Sequence, residues 1–270
     1  MKIPKVFPGV STGQLIITSL VMNTYPDQRE RPIRIWLPPG YSQENPQNRY
    51  PVFYMHDGQN LFDSATSYAG EWEIDETITA LIAKGDHGTI VVGIDNSQDR
   101  LNELSPNWPR ILGIRKKINQ PSGELYASFI VNTVKPYIDT HFHTLSNRSN
   151  TGIGGSSMGG VMSFYMLLTY PEIFGSGLLF STAAQLYKYA SIKNFVQTKI
   201  STMNDYPRIF LFAGGLERSI TPYVKRLSHL LIKNNFPKEN IATLIDPRAK
   251  HNELAWAKHF PNAYQWLTKK

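Results

Sequence analysis

The stretch Thr151-Gly-Ile-Gly-Gly-Ser-Ser-Met-Gly-Gly-Val-Met-Ser-Phe-Tyr-Met-Leu-Leu-Thr169 decides the reading of this chain. Its first four residues, Thr151–Gly154, read as a short strand. From Met158 to about Thr169 the residues are apolar nearly all round, as in a helix buried against a sheet. Between them lies Gly155-Ser156-Ser157-Met158-Gly159, followed by Gly160. This is G-x-S-x-G, and strand–turn–helix is the context in which that pattern places a serine on a sharp, strained turn. Small neighbours give such a turn clearance, and the turn lifts the Ser157 hydroxyl clear of the sheet. It also directs the Met158 N–H toward a reacting group at the positive end of the helix dipole. A phosphate-binding glycine turn is the competing reading, but no Lys follows to make a P-loop.

Working outward, short apolar runs alternate with helical periods. Strands are expected at Gln14–Tyr25, Ile33–Leu37, Val52–Met55, Thr89–Ile94, Thr151–Gly154, Gly177–Phe180, Arg208–Phe212 and Ile241–Ile245. The first two flank a turn at Tyr25-Pro-Asp-Gln and should pair antiparallel. The later ones suit a parallel sheet covered on both faces. Ile74, Ile78, Leu81 and Ile82 keep a helical step, as do Tyr223, Leu227, Leu230 and Leu231. Tyr126, Ile130, Val134 and Tyr137 mark another helix, with Ser122 as N-cap and a kink at Pro136. A last helix, through Trp256, Phe260, Ala263 and Leu267, is expected to break at Pro261. The fold class is therefore α/β: an eight-stranded, mostly parallel sheet with helices on both faces, in one domain over residues 1–270. Two long connections, 96–121 and 181–207, follow strands. They are expected to act as loops at the carboxyl edge, where open α/β sheets bind ligands.

Composition narrows the chemistry. The 270 residues include no cysteine, which excludes disulfides, thiolate metal sites and a cysteine nucleophile. Hydrophobic residues make up 41% and charged residues 18%, as in a globular domain. No apolar run is long enough to cross a membrane, so no membrane partner is expected. No signal-peptide pattern opens the sequence, and a cytoplasmic location is the expectation. The net charge of +7 favours anionic partners, but the longest basic cluster is Arg115-Lys116-Lys117, so nucleic acid is not expected.

A serine hydroxyl needs a base. Of seven histidines, His141, His143 and His87 precede strands at the wrong edge, His229 and His259 fall within helices, and His56 precedes the serine. His251 alone follows the last strand on a loop, as the chain order Ser…acid…His requires. Five carboxylates lie between Ser157 and His251: Glu172, Asp205, Glu217, Glu239 and Asp246. Glu217, just after the seventh strand, is preferred, with Asp246 at the end of the eighth held in reserve. An oxyanion would accept from the Met158 N–H and from a second N–H in His56-Asp57-Gly58-Gln59-Asn60. Gln59 is the first choice and Gly58 the second.

Loop 96–121 carries Arg100, Arg110, Arg115, Lys116 and Lys117 against Asp99 and Glu103, with Trp108 among them. Tyr187, Tyr189 and Tyr206 lie in the second loop, and Tyr68 and Trp72 follow the oxyanion segment. Trp108, Arg110 and Tyr68 are the candidate substrate contacts, and aromatic walls with a cationic rim would suit an aromatic or anionic ester. The competing reading is ordinary loop packing, with Arg100 paired to Glu103.

Taken together, Tyr54-Met-His-Asp-Gly-Gln-Asn-Leu-Phe-Asp63, Glu71-Trp-Glu-Ile-Asp-Glu76, Val92-Gly-Ile-Asp-Asn96, Gly154–Gly160, Tyr170-Pro-Glu-Ile-Phe174, Gly214-Gly-Leu-Glu217 and Lys250-His-Asn-Glu-Leu-Ala-Trp256 resemble the esterase D/enterochelin esterase-like family of α/β-hydrolases. The resemblance runs from about residue 30 to the end. It implies hydrolysis of a small-molecule ester by a serine triad at Ser157, Glu217 and His251, with no cofactor and no metal. Such families include siderophore, feruloyl and acetyl esterases, so the ester itself does not carry over. An acyltransferase and a non-catalytic binding module are the rival readings.

Overall fold

A computed structural model describes residues 5–7 and 10–268. Among them, nine strands form one sheet: β1 (Lys5–Phe7), β2 (Gln14–Val21), β3 (Glu30–Leu37), β4 (Val52–His56), β5 (Ile90–Ile94), β6 (Thr151–Ser156), β7 (Ser176–Phe180), β8 (Arg208–Gly214) and β9 (Ile241–Asp246). Their spatial order is β1-β2-β3-β5-β4-β6-β7-β8-β9. All eight expected strands are present. The ninth, β1, adds an antiparallel edge with Lys5 opposite Ile17. The β2 strand ends at Val21, short of the expected Tyr25, and Val21 faces Glu30 across the hairpin. The β3 strand joins β5 antiparallel, and from β5 through β9 every pairing is parallel.

The helices described are α1 (Ile74–Ile82), α2 (Arg100–Glu103), α3 (Gly123–Phe129), α4 (Lys135–His141), α5 (Met158–Thr169), α6 (Tyr189–Ile200), α7 (Thr221–Lys233) and α8 (Glu253–Thr268). Alternate residues of the buried strands feed two apolar cores, one on each face. Tyr54, Val92, Ile153, Leu179 and Leu211 pack with α3 to α7. Phe53, Val91, Leu178, Phe180, Phe210 and Phe212 pack with α1 and α8. This period-two division of fully apolar strands is what a sheet sandwiched between helices demands, and it is the α/β-hydrolase arrangement.

Four local readings are corrected. Where a kink is expected at Pro136, a π turn, Ile130–Val134, separates α3 from α4 and Pro136 stands in the first turn of α4. Helix α8 runs unbroken through Pro261. The connection 181–207 is largely helix, since α6 fills its middle and buries Ile192, Val196 and Ile200. Ser122 stands at the N-cap position of α3, but its hydroxyl pairs with Tyr25 instead of capping the helix. Among the described residues no helix is long and apolar enough to cross a membrane.

Candidate active site

Where β6 meets α5, Ser157 has φ 58° and ψ −115°, a conformation that costs a non-glycine residue roughly 1–3 kcal/mol. Three backbone hydrogen bonds hold it there. The Ser157 N–H donates to Phe180 O at 2.9 Å, and its own carbonyl accepts from Val161 N–H at 3.2 Å and Ala183 N–H at 3.1 Å. The neighbouring glycines leave room for the turn. A Cβ on Gly155 would lie 3.1 Å from His56 and from the backbone of Gly159, and one on Gly160 would lie 2.8 Å from Thr182 Oγ1.

At the same carboxyl edge, two strands along, Glu217 follows β8. Its side chain is 1% exposed and takes three hydrogen bonds. Oε1 accepts from Gly214 N–H and from Ser181 Oγ, both at 2.7 Å. Oε2 accepts from His251 Nδ1 at 2.8 Å. Donation from Nδ1 leaves Nε2 of His251 as the free acceptor, the tautomer a base requires. The imidazole is 37% exposed and stands edge-on to Trp256, 5.2 Å between ring centres. The Trp256 indole N–H in turn donates to Ser181 Oγ at 3.0 Å. Ser181, with φ 46°, is thus a hub that the sequence reading missed. Among the described residues no hydrogen bond joins Ser157 Oγ to His251. Such contacts commonly tighten only when substrate is bound.

Asp246, the reserve acid, is engaged elsewhere. It accepts from His259 Nε2 at 2.8 Å and Lys258 Nζ at 2.9 Å. The Arg248 backbone N–H, Lys258 and His259 hold its carboxyl well below the usual carboxylate range. It fastens the loop carrying His251 to α8.

After β4 the chain turns sharply. Asp57 sits in the left-handed region at φ 60°, and a single 3-10 turn follows over Gly58–Asn60. A Cβ on Gly58 would fall 2.6 Å from the Gly93 backbone, so only glycine lets this turn lie against β5. The N–H groups of Gln59 and Met158 donate to no acceptor among the described residues, and the Gly58 N–H is likewise unpaired. Asp57 anchors the turn through Arg100, Nε to Oδ1 at 2.5 Å and Nη2 to Oδ2 at 2.7 Å, and through Asn96 Nδ2 at 2.7 Å. Burial works to raise the Asp57 carboxyl, but Arg100 and Asn96 outweigh it and hold its pKa below the ordinary value. The expected Arg100–Glu103 pair is not made. Glu103 is buried on Arg31 at 2.6 Å instead, which ties α2 to β3. His56 is buried behind the elbow with Nδ1 3.0 Å from the Tyr126 hydroxyl. Burial pushes its pKa down to about 4, so it is neutral at pH 7.

The aromatic candidates divide. Tyr68 is 92% exposed, on the loop that follows the Gly58–Asn60 turn. Trp108 is buried among Tyr165, Tyr187 and Phe195, so it packs the first long loop onto the core. Arg110 bridges its backbone to Tyr187 and extends Nη1 to Trp108 O at 3.4 Å. Trp72 is core as well, against Phe180, Trp256 and Phe260. Tyr206 packs edge-on to Phe236 and lines a cavity at the amino edge of the sheet. Of the exposed apolar side chains, Tyr68, Ile111, Leu112, Leu216 and Leu254 lie on segments that follow the carboxyl ends of strands, whereas Val21 ends β2 and Leu125 lies in α3. Arg115, Lys116 and Lys117 are exposed close to them in sequence.

Comparison with known proteins supplies the context. The uncharacterized protein YbbA of Bacillus subtilis is 25% identical over 246 residues, covering 88% of this chain and 92% of that protein. An endo-1,4-beta-xylanase/feruloyl esterase of Xylanibacter ruminicola is 26% identical over 237 residues, covering 87% of this chain and 29% of that longer protein. Among solved structures, the siderophore hydrolase EstB from Aspergillus nidulans superposes with a TM-score of 0.72 at 16% identity, covering 98% of this chain and 97% of EstB. The model of the "Putative esterase" family matches residues 26–267. With nearly its whole length accounted for in this way, the chain belongs to that family and is an esterase of the α/β-hydrolase fold.

Proposed function

We propose that this esterase cleaves carboxylic esters through an acyl-enzyme on Ser157. The Ser157 Oγ attacks the ester carbonyl carbon while His251 Nε2 takes its proton. The carbonyl oxygen becomes an oxyanion and accepts from the Met158 and Gln59 N–H groups. The C–O bond to the alcohol then breaks, and His251 returns the proton to the departing oxygen. Water attacks the acyl-serine, with His251 again as base, and the carboxylic acid leaves. Glu217 holds the imidazole tautomer and stabilises the imidazolium formed in each half-reaction.

The observation that carries this reading is the 2.8 Å His251–Glu217 hydrogen bond, at the same sheet edge as the strained Ser157. On the substrate side, the exposed apolar residues of the carboxyl-edge segments and the exposed Arg115-Lys116-Lys117 would suit an ester with an aromatic or anionic portion. The feruloyl esterase and siderophore hydrolase among the relatives point the same way. An alkyl fluorophosphonate should label the protein at one site, and Ser157→Ala should abolish both labelling and turnover. Labelling that persists in Ser157→Ala, or a folded protein that neither labels nor turns over aryl esters, overturns the mechanism.

A further inference from the structure

Glu253 opens α8 two residues after His251, and it is only 7% exposed. Carboxylates so far from water are ordinarily paired with a cation or given several hydrogen bonds. Glu217 follows that rule and Glu253 does not. No cation lies within ion-pair distance among the described residues, and besides its own backbone N–H one donor reaches it: Asn60 Nδ2, at a long 3.4 Å from Oε1. The second oxygen, Oε2, takes no hydrogen bond from another residue among those described.

Its position is informative. Asn60 directly follows Gln59 and is itself held, since its Oδ1 accepts from Tyr68 N–H at 3.1 Å and its carbonyl accepts from Trp72 N–H at 2.9 Å. Glu253 therefore touches the oxyanion segment on one side and adjoins the His251 loop on the other. Burial raises its pKa, and Asp57 adds to the rise. Its own backbone N–H, His251 and Arg100 act in the opposite sense. An acid in the first turn of a helix complements the dipole, but that role is served equally well from the surface. It does not account for a carboxylate buried beside Leu254, which is 74% exposed.

Resting on the ester-hydrolase reading above, we propose that Glu253 is a substrate-binding residue that accepts a hydrogen bond from a hydroxyl on the alcohol side of the ester. The side follows from His251, which must reach the departing oxygen, so a group adjoining it faces the leaving alcohol. The substrate class is then esters whose alcohol portion carries a further free hydroxyl.

The test compares two near-isosteric probes, 2-hydroxyethyl butanoate and propyl butanoate, by butanoate release. The wild type should favour the hydroxyethyl ester by about tenfold or more in kcat/KM, as expected for one hydrogen bond to a charged group. Glu253→Met should bring the ratio to within about twofold of unity. Glu253→Gln, whose amide oxygen still accepts, should fall between. A wild type that labels at Ser157 but shows no preference, or a preference that survives in Glu253→Met, overturns this proposal and leaves the mechanism standing. A wild type that neither labels nor hydrolyses either ester overturns the mechanism, and this proposal with it.

Discussion

Ser181 Oγ donates to Glu217 Oε1 at 2.7 Å while accepting the Trp256 indole N–H at 3.0 Å. One hydroxyl therefore links β7, the acid and α8. Ser181→Ala removes a hydrogen bond to a buried carboxylate and leaves the indole N–H unsatisfied. The expected result is a kcat about tenfold lower, with little change in KM, and about 1.5–3 kcal/mol lost in urea unfolding. Steady-state kinetics alongside denaturation would check both. An unchanged kcat would mean that Glu217 is held adequately by Gly214 N–H alone.

Glu217→Gln and Asp246→Asn should separate cleanly. The first preserves shape but disturbs the imidazole tautomer, and turnover should fall by roughly 10³–10⁴-fold. The second weakens the hold of His259 and Lys258 on the loop that carries His251. It should lower the melting temperature and change turnover only a few-fold. Because the Asp246 pKa is depressed in the fold, its contribution to stability is present above the ordinary carboxylate range and is lost as pH falls through its lower folded value. Asp246→Asn should therefore lose more stability at pH 7 than at the acid extreme. A larger turnover loss in Asp246→Asn than in Glu217→Gln would reassign the acid.

His56 gives a second pH signature. Its pKa falls from 6.5 to about 4 on folding, so between those values the unfolded chain binds a proton that the folded chain refuses. Stability is full above pH 6.5 and declines as pH falls toward 4, by about 3 kcal/mol in all at 1.36 kcal/mol per pKa unit. Urea titrations from pH 7 to pH 4 should show this loss in the wild type. In His56→Asn the dependence should flatten over the same window. Parallel curves for the two proteins would remove His56 as its source.

Gly58→Ala places a methyl 2.6 Å from the Gly93 backbone, where neither strand nor turn can yield without moving the Gln59 N–H. A loss of about 1–3 kcal/mol in stability is expected, together with a fall of about 10²-fold in kcat if the Gln59 N–H is the second oxyanion donor proposed above. A fully active Gly58→Ala would place the second donor outside this turn.

The sheet was largely legible because its strands are short apolar runs separated by helical periods, and two-faced burial leaves that mark directly in the residue order. Strand β1 was not, since three residues between Pro4 and Pro8 carry no period. Helix α6 left a signal that went unread: Ile192, Val196 and Ile200 stand four apart. At the site, chain order and sheet edge were enough to single out Ser157, Glu217 and His251 as candidates. Ser181 was hidden because its hydroxyl matters only through a left-handed backbone and a neighbouring strand, neither of which marks the residue itself. Trp72 and Trp108 misled for a related reason. An aromatic on a loop reads the same whether it turns inward, as both do, or outward, as Tyr68 does.

Trp256 and His259, which tie α8 to Ser181 and Asp246, give the order of synthesis a meaning. The serine turn leaves the ribosome long before these anchors are made. On the proposed mechanism, a nascent chain carries its hydroxyl without a functioning proton acceptor until α8 has docked. A chain translated no further than β9 would, on that mechanism, hold the serine turn without the side chain that takes its proton.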